Sequence, residues 1–176
     1  MELILLSGNS VNTKGWIESV EEELRGLFDS THIQYYKHWK SGEKLIDIEY
    51  ELDALIKYLE NKGNYIIFAK SAGSIIALKG IAEGKLSPEK CMFAGVPIKW
   101  CDELNLPVRE WIKDYSTPTF FIQKTNDPIM DAKGLNGLLE SSKVKKYKFI
   151  EIKGNDHHYE NLTELRNLMK ELLSVR

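Results

Sequence analysis

Cysteine is scarce. Of 176 residues only Cys91 and Cys101 carry thiols; they form no C-x-x-C, and no histidine is spaced around them as a zinc site requires. That excludes a disulfide framework and leads to the expectation of a reduced, cytoplasmic setting. Charge of one sign is lacking too: 24 Lys and Arg stand against 26 Asp and Glu, for a formal net charge of −2, and the two signs are interspersed. Such a surface has no electrostatic footprint for nucleic acid or an anionic membrane, and suits a small neutral or mildly charged substrate. Long hydrophobic runs are missing as well. Leu3-Ile4-Leu5-Leu6 is too short for a signal segment, is preceded by Glu2 rather than a basic flank, and reads as a buried strand. No G-x-G-x-x-G, Walker loop, H-E-x-x-H, EF-hand loop, repeat or low-complexity tract occurs, so no motif implies a cofactor or a metal. What remains, at 43% hydrophobic and 28% charged residues, is the composition expected of a single globular domain over residues 1–176.

Apolar strand-like runs alternate with helical periodicity along the chain. Ser7-Gly8-Asn9-Ser10 breaks the first strand, Leu3–Leu6, with residues that tolerate unusual backbone angles. Ile17, Val20, Leu24 and Leu27 then mark an amphipathic helix with Glu18, Glu21, Glu22 and Arg25 outward. A short strand is expected at Ile33–Tyr36, leading into a loop with His38 and Trp39. Ile48, Leu52, Leu55 and Leu59 define the second helix, closed by Asn61-Lys62-Gly63 with glycine at the helix end. Further strands are expected at Cys91–Ala94, Thr119–Gln123 and Tyr147–Ile152. Leu135, Leu138 and Leu139 indicate a short helix, and Leu162, Leu165, Met169 and Leu172 the last one. The stretch after Gly95-Val96-Pro97, roughly twenty residues containing Trp100 and Trp111, is too short for a lid domain. The alternation predicts an α/β fold, a three-layer α/β/α sandwich of about six mostly parallel strands.

Chemistry enters at Tyr65-Ile66-Ile67-Phe68-Ala69-Lys70-Ser71-Ala72-Gly73-Ser74, where an apolar strand passes directly into an apolar helix through a serine. A serine in so sharp a turn projects its oxygen above the sheet edge and needs small residues two positions either side, here Ala69 and Gly73. The following helix aims its first amides at the same point. Close packing alone also produces a serine at such a junction, so the partners matter. Asp127 follows the fifth strand in Asn126-Asp127-Pro128, and His157 follows the sixth in Gly154-Asn155-Asp156-His157-His158. Ser71, Asp127 and His157 thus share one edge of a parallel sheet in the order serine, acid, histidine. Asp156 and Asp102 are rival acids and His158 a rival base. His38 precedes Ser71, the wrong order for the base, and reads as a solvent-facing or hydrogen-bonded loop residue. The first loop offers the Asn9 N–H as an oxyanion donor, with Ser10 in reserve, beside the Ala72 N–H. Ser10, His38, Trp39, Trp100 and Trp111 are candidates for pocket walls, although packing under a loop is the safer reading of the two later tryptophans.

With Ser7-Gly8-Asn9 and Gly15-Trp16, Ala69-Lys70-Ser71-Ala72-Gly73, Asn126-Asp127-Pro128 and Gly154-Asn155-Asp156-His157, the chain resembles the α/β-hydrolase superfamily. Within it the likeness is to the small, lidless serine hydrolases related to retinoblastoma-binding hydrolase, and it spans nearly the whole sequence. The resemblance implies a minimal α/β-hydrolase sheet lacking the first two strands of larger relatives. It also implies Ser71 as nucleophile, His157 as base, Asp127 as orienting acid and an oxyanion hole of Asn9 and Ala72 amides. Lys70 stands where these hydrolases often have histidine, and Ala69 where glycine is usual. The expected activity is hydrolysis of a small ester, thioester or activated amide, with a small acyl compound as the only expected partner. An inactive binding protein on the same fold and an acyltransferase are the alternatives. Nothing in the pattern specifies an oligomeric state.

Overall fold

The computed structural model describes residues 1–175 as one six-stranded sheet in the order β2-β1-β3-β4-β5-β6. The strands are β1 (Glu2–Leu6), β2 (Ser30–Ile33), β3 (Tyr65–Lys70), β4 (Lys90–Ala94), β5 (Thr119–Lys124) and β6 (Tyr147–Ile152). Every pairing is parallel. Parallel neighbours need crossovers, and helices supply them: α1 (Lys14–Leu24), α2 (His38–Ser41), α3 (Ile48–Leu59), α4 (Ala72–Ala82), α5 (Ile98–Glu103), α6 (Val108–Ile112), α7 (Ala132–Ser141) and α8 (Leu162–Ser174).

Because strand side chains alternate, each inner strand feeds two cores. Leu3, Leu5, Ile66, Phe68, Met92, Phe120 and Ile122 pack with α1 and α8 on one face. Ile4, Leu6, Ile67, Ala69, Phe93 and Phe121 pack with α3, α4, α6 and α7 on the other. Helix α4 is buried almost all round, from Ala72 to Gly80, as its apolar sequence requires. The segment 95–118, between β4 and β5, holds the two short helices α5 and α6 and no larger insertion.

Two local expectations are corrected. The second strand runs over Ser30–Ile33, not Ile33–Tyr36: Glu2 pairs with Ser30 and Leu5 with Ile33, and one further bond from Gln34 N–H to the Leu5 carbonyl ends the ladder. An edge strand needs little apolar character, so the polar Ser30-Thr31-His32 gave no signal. Tyr36, which looked like strand core, is fully buried for another reason, its hydroxyl donating to the Ser7 carbonyl at 2.9 Å. At the end of α3 it is Asn61, at φ 64°, rather than Gly63, that adopts the left-handed conformation, a position asparagine tolerates.

The sheet changes its direction of winding between β1 and β3. In an open α/β sheet the crevice beyond the C-terminal strand ends at such a point is where ligands bind. The Ser7–Ser10 loop leaves β1 there, and Ser71 leaves β3 beside it.

Candidate active site

Ser71 is held in an unusual conformation, φ 50° and ψ −123°, between the last residue of β3 and the first of α4. Left-handed backbone at a non-glycine residue is strained by about 1–3 kcal/mol, and several contacts impose it here. The Ser71 N–H donates to the Ala94 carbonyl at 3.0 Å, and the Gly73 N–H to the Ser7 carbonyl at 2.9 Å. Gly73 has no room for a side chain, since a Cβ there would stand 2.6 Å from the Leu6 carbonyl oxygen. Ala69 is accommodated on β3 with no exposure at all. The second small residue of the serine turn is therefore dictated by the approach of α4 to β1.

From the strained turn the Ser71 hydroxyl meets His157, Nε2 lying 2.9 Å from Oγ. His157 Nδ1 lies 2.7 Å from Asp127 Oδ2. Asp127 is 1% exposed, and its two oxygens are fully engaged. Oδ1 accepts from the Ile129 N–H at 2.9 Å, and Oδ2 accepts from the Tyr159 hydroxyl at 3.0 Å as well as from His157. Burial pushes the Asp127 pKa up, but the His157 hydrogen bond and charge, with the bonds from Ile129 and Tyr159, outweigh it and hold the carboxyl below its ordinary value. The acid is thus ionised and oriented, Nδ1 of the imidazole donates to it, and Nε2 is left to accept the serine proton.

The rival groups point elsewhere. Asp156 accepts from Lys124 Nζ at 2.8 Å and from the His158 N–H at 2.7 Å, and Asp102 pairs with Arg109 at 2.8 Å. Both histidines line the cleft, His158 exposed, but it is His157 whose ring meets the serine.

The cleft above Ser71 has a volume of about 270 Å3 and includes Gly8, Asn9, Ser10, Lys70, Ala72 and Trp100 in its walls. Among the described residues no acceptor of the chain takes the N–H of Asn9 or of Ala72. Asn9 is nonetheless fixed. Its Oδ1 accepts from the Ile46 N–H at 2.8 Å, its Nδ2 donates to the Lys44 carbonyl at 2.9 Å, and its carbonyl accepts from His38 Nε2 at 2.5 Å and Trp39 Nε1 at 3.0 Å.

Of the five expected wall residues, Ser10 and Trp100 line this cleft and three do not. His38 is buried under the Asn9 loop, and its ring must donate through Nε2 because Asn9 presents a carbonyl. Trp39 bonds to that same carbonyl and lines a separate cavity of about 340 Å3 with Tyr35 and Tyr36. Trp111 is drawn away because α6 packs on α4, and the Lys79 ammonium lies 5.4 Å from its ring centroid.

Tyr159 escaped the sequence reading. It is buried, donates to Asp127, accepts from the Lys124 N–H at 3.2 Å, and its carbonyl accepts from Trp16 Nε1 at 2.9 Å. Burial and the neighbouring Asp127 raise its pKa, keeping the phenol protonated as a donor. The available signal was an aromatic two residues beyond His157 with Trp16 unassigned. Among the described residues no three His, Cys, Asp or Glu side chains are grouped to hold a metal ion. No helix among them is long and apolar enough to cross a membrane.

No protein-family model matches the sequence, and no curated protein matches it. Solved structures match over nearly the whole chain. The esterase Pf2001 of Pyrococcus furiosus superposes with a TM-score of 0.77 at 17% identity, over 98% of this chain and 81% of that one. Est1E of Butyrivibrio proteoclasticus, with ferulic acid bound, gives 0.74 at 12% identity over 99% and 90%. An uncharacterized protein of Bacillus cereus ATCC 10987 gives 0.75 at 17% identity over 98% of this chain, which spans only 60% of that protein's length. The chain has the fold of the α/β-hydrolase superfamily.

Proposed function

We propose that the protein is a serine hydrolase that cleaves a small ester, thioester or activated amide through an acyl-enzyme. The observation that carries this reading is the continuous hydrogen-bonded run from Ser71 Oγ through His157 to Asp127, opening into a cleft. In the reaction His157 Nε2 takes the Ser71 proton as Oγ attacks the substrate carbonyl carbon. The oxyanion accepts hydrogen bonds from the Asn9 and Ala72 amides, assisted by the N-terminal end of α4. Asp127 holds Nδ1–H and steadies the imidazolium, which then protonates the leaving group as its bond to carbon breaks. Water repeats the sequence on the acyl-enzyme and releases the acid. A cleft of about 270 Å3 lies at the small end for ligand sites, which favours a short acyl group. The esterases among the structural neighbours are in keeping with this chemistry.

The test is release of 4-nitrophenol from a short-chain 4-nitrophenyl ester. Wild type should turn over with an initial burst when deacylation is slow. Ser71→Ala should lose activity by at least 1,000-fold with an unchanged circular-dichroism spectrum. Equal turnover by both proteins would remove the assignment.

A further inference from the structure

The proposed hydrolysis leaves one charged group of the cleft unused. Lys70, the residue before the nucleophile, is 5% exposed. Among the described residues the charge that acts on it is that of Asp127, whose oxygens are already taken by His157, Ile129 and Tyr159. The ammonium lies 5.7 Å from the Trp16 ring centroid, and 3.5 Å from where a Cβ on Gly8 would stand. The Lys70 Nζ is not sealed from solvent, but a largely buried ammonium with only an aromatic face beside it is poorly neutralised, and an anion placed there would recover part of the desolvation cost.

Lys70 faces two cavities that meet at Ser10, Thr13, Lys70 and His158. One is the Ser71 cleft; the other, of about 330 Å3, continues past Trp16 towards Tyr159 and Glu160. Ser10 Oγ accepts the Asn12 N–H at 3.2 Å and keeps its own proton free to donate. Pro97, Trp100 and Ile129 wall the same cleft without a charge. One part of the cleft thus suits an apolar chain and another a negative group. The acids near Lys70 are Asp127, occupied by His157 and Tyr159, and the exposed Glu160, which lines the second cavity. The lining that the two cavities share is where an anion would meet both the Lys70 ammonium and the free Ser10 hydroxyl donor.

We propose that this junction is a subsite for a carboxylate carried by the substrate, so that the enzyme prefers monoanionic esters, such as half-esters of dicarboxylic acids, to neutral esters of equal length. The position of the subsite rests on the serine-hydrolase reading; its affinity for an anion does not. Burial lowers the Lys70 pKa to about 8 against the opposing pull of Asp127, so the preference should fade as pH rises through that value. His158 also lines the junction, with His157 in the first cavity and Glu160 in the second, and the pH series is therefore run in parallel on a Lys70 variant.

The experiment compares kcat/KM for mono-4-nitrophenyl adipate and 4-nitrophenyl hexanoate, after subtracting spontaneous hydrolysis, in wild type, Lys70→Met and Lys70→Gln. The adipate-to-hexanoate ratio should be roughly ten- to a hundredfold higher in wild type, and should decline between about pH 7 and 9 in wild type alone. Equal ratios in the three proteins overturn the subsite, as does an equal loss on both esters in the variants. Absence of turnover on either ester would instead strike the hydrolase reading. In that event calorimetric titration of adipate into Ser71→Ala and into Ser71→Ala/Lys70→Met decides the subsite by itself. Binding at least tenfold weaker in the double variant supports it, and equal or absent binding in both overturns it.

Discussion

Ser71 and Lys70 sit side by side, and each costs the fold stability. At Ser71 the cost is the backbone at φ 50° and ψ −123°, a region that glycine enters freely. Ser71→Gly should therefore raise the free energy of unfolding by about 1 kcal/mol, after the extra chain entropy of glycine is set against the relieved strain. Ser71→Ala, which keeps the strain, should not. Urea denaturation of the two variants measures the difference. At Lys70 the cost is desolvation, which holds its pKa at about 8 against 10.5 for an ordinary lysine. Since the folded value is the lower one, the unfolded chain binds the extra proton between those limits. Stability should consequently rise from about pH 8 to 10.5, with the full penalty present below pH 8. Lys70→Met, which removes the charge and keeps the volume, should be more stable than wild type at pH 7 by up to about 3 kcal/mol. The gain should shrink as pH rises through the same interval, as thermal melts at pH 7 and 10 would reveal. A Lys70→Met protein no more stable than wild type at pH 7 would mean that the ammonium is well solvated where it sits.

Among the elements, the sensitive junction is where α4 meets β1 behind the serine. A methyl group on Gly73 would meet the Leu6 carbonyl oxygen at 2.6 Å, backbone that cannot step aside. Gly73→Ala should cost about 3 kcal/mol or more and broaden unfolding, whereas Gly137→Ala, in open space on α7, should be neutral or stabilising. On the other side of the cleft, Tyr159 carries the acid. Tyr159→Phe deletes the donor to Asp127 Oδ2 while keeping the ring, and should lower kcat roughly tenfold, with KM little changed. Legibility differed from element to element for physical reasons. The helix Ile48–Leu59 was plain because burial of one face enforces a period, and the strand Tyr147–Ile152 because, although at a sheet edge, it carries the aromatic and β-branched Tyr147, Phe149, Ile150 and Ile152. Strand β2, at the other edge, was displaced because its Ser30, Thr31 and His32 carry no comparable apolar pattern. As pocket walls His38, Trp39 and Trp111 were misplaced, because a side chain's target depends on how short helices dock, which no local pattern records; the reading of His38 as a hydrogen-bonded residue holds. Tyr159 went unread because its role lies in one hydroxyl, and a buried tyrosine looks the same in sequence whether its oxygen meets a carboxylate or a carbonyl.

For the molecule as a whole, the parallel order β2-β1-β3-β4-β5-β6 sends the C-terminal ends of all strands to one rim. That single fact gathers residues 71, 127 and 157 from widely separated parts of the chain. The order of serine, acid and histidine was legible because parallel topology makes every strand end a neighbour of the next. The distances of 2.9 Å and 2.7 Å that join them were not, since they depend on the Ser71 turn, the Asp127 turn and the Tyr159 anchor together. The two thiols stand apart from this chemistry: both are buried, and burial pushes the pKa of Cys91 and of Cys101 up to about 12, so neither is a rival for the nucleophile role proposed for Ser71. The most direct measurement is intact-mass analysis of the folded protein after exposure to a fluorophosphonate. The account predicts one stoichiometric adduct, mapped by peptide sequencing to Ser71 and abolished both in Ser71→Ala and by prior unfolding; a folded wild-type protein that stays unmodified, or an adduct on any other residue, would contradict it.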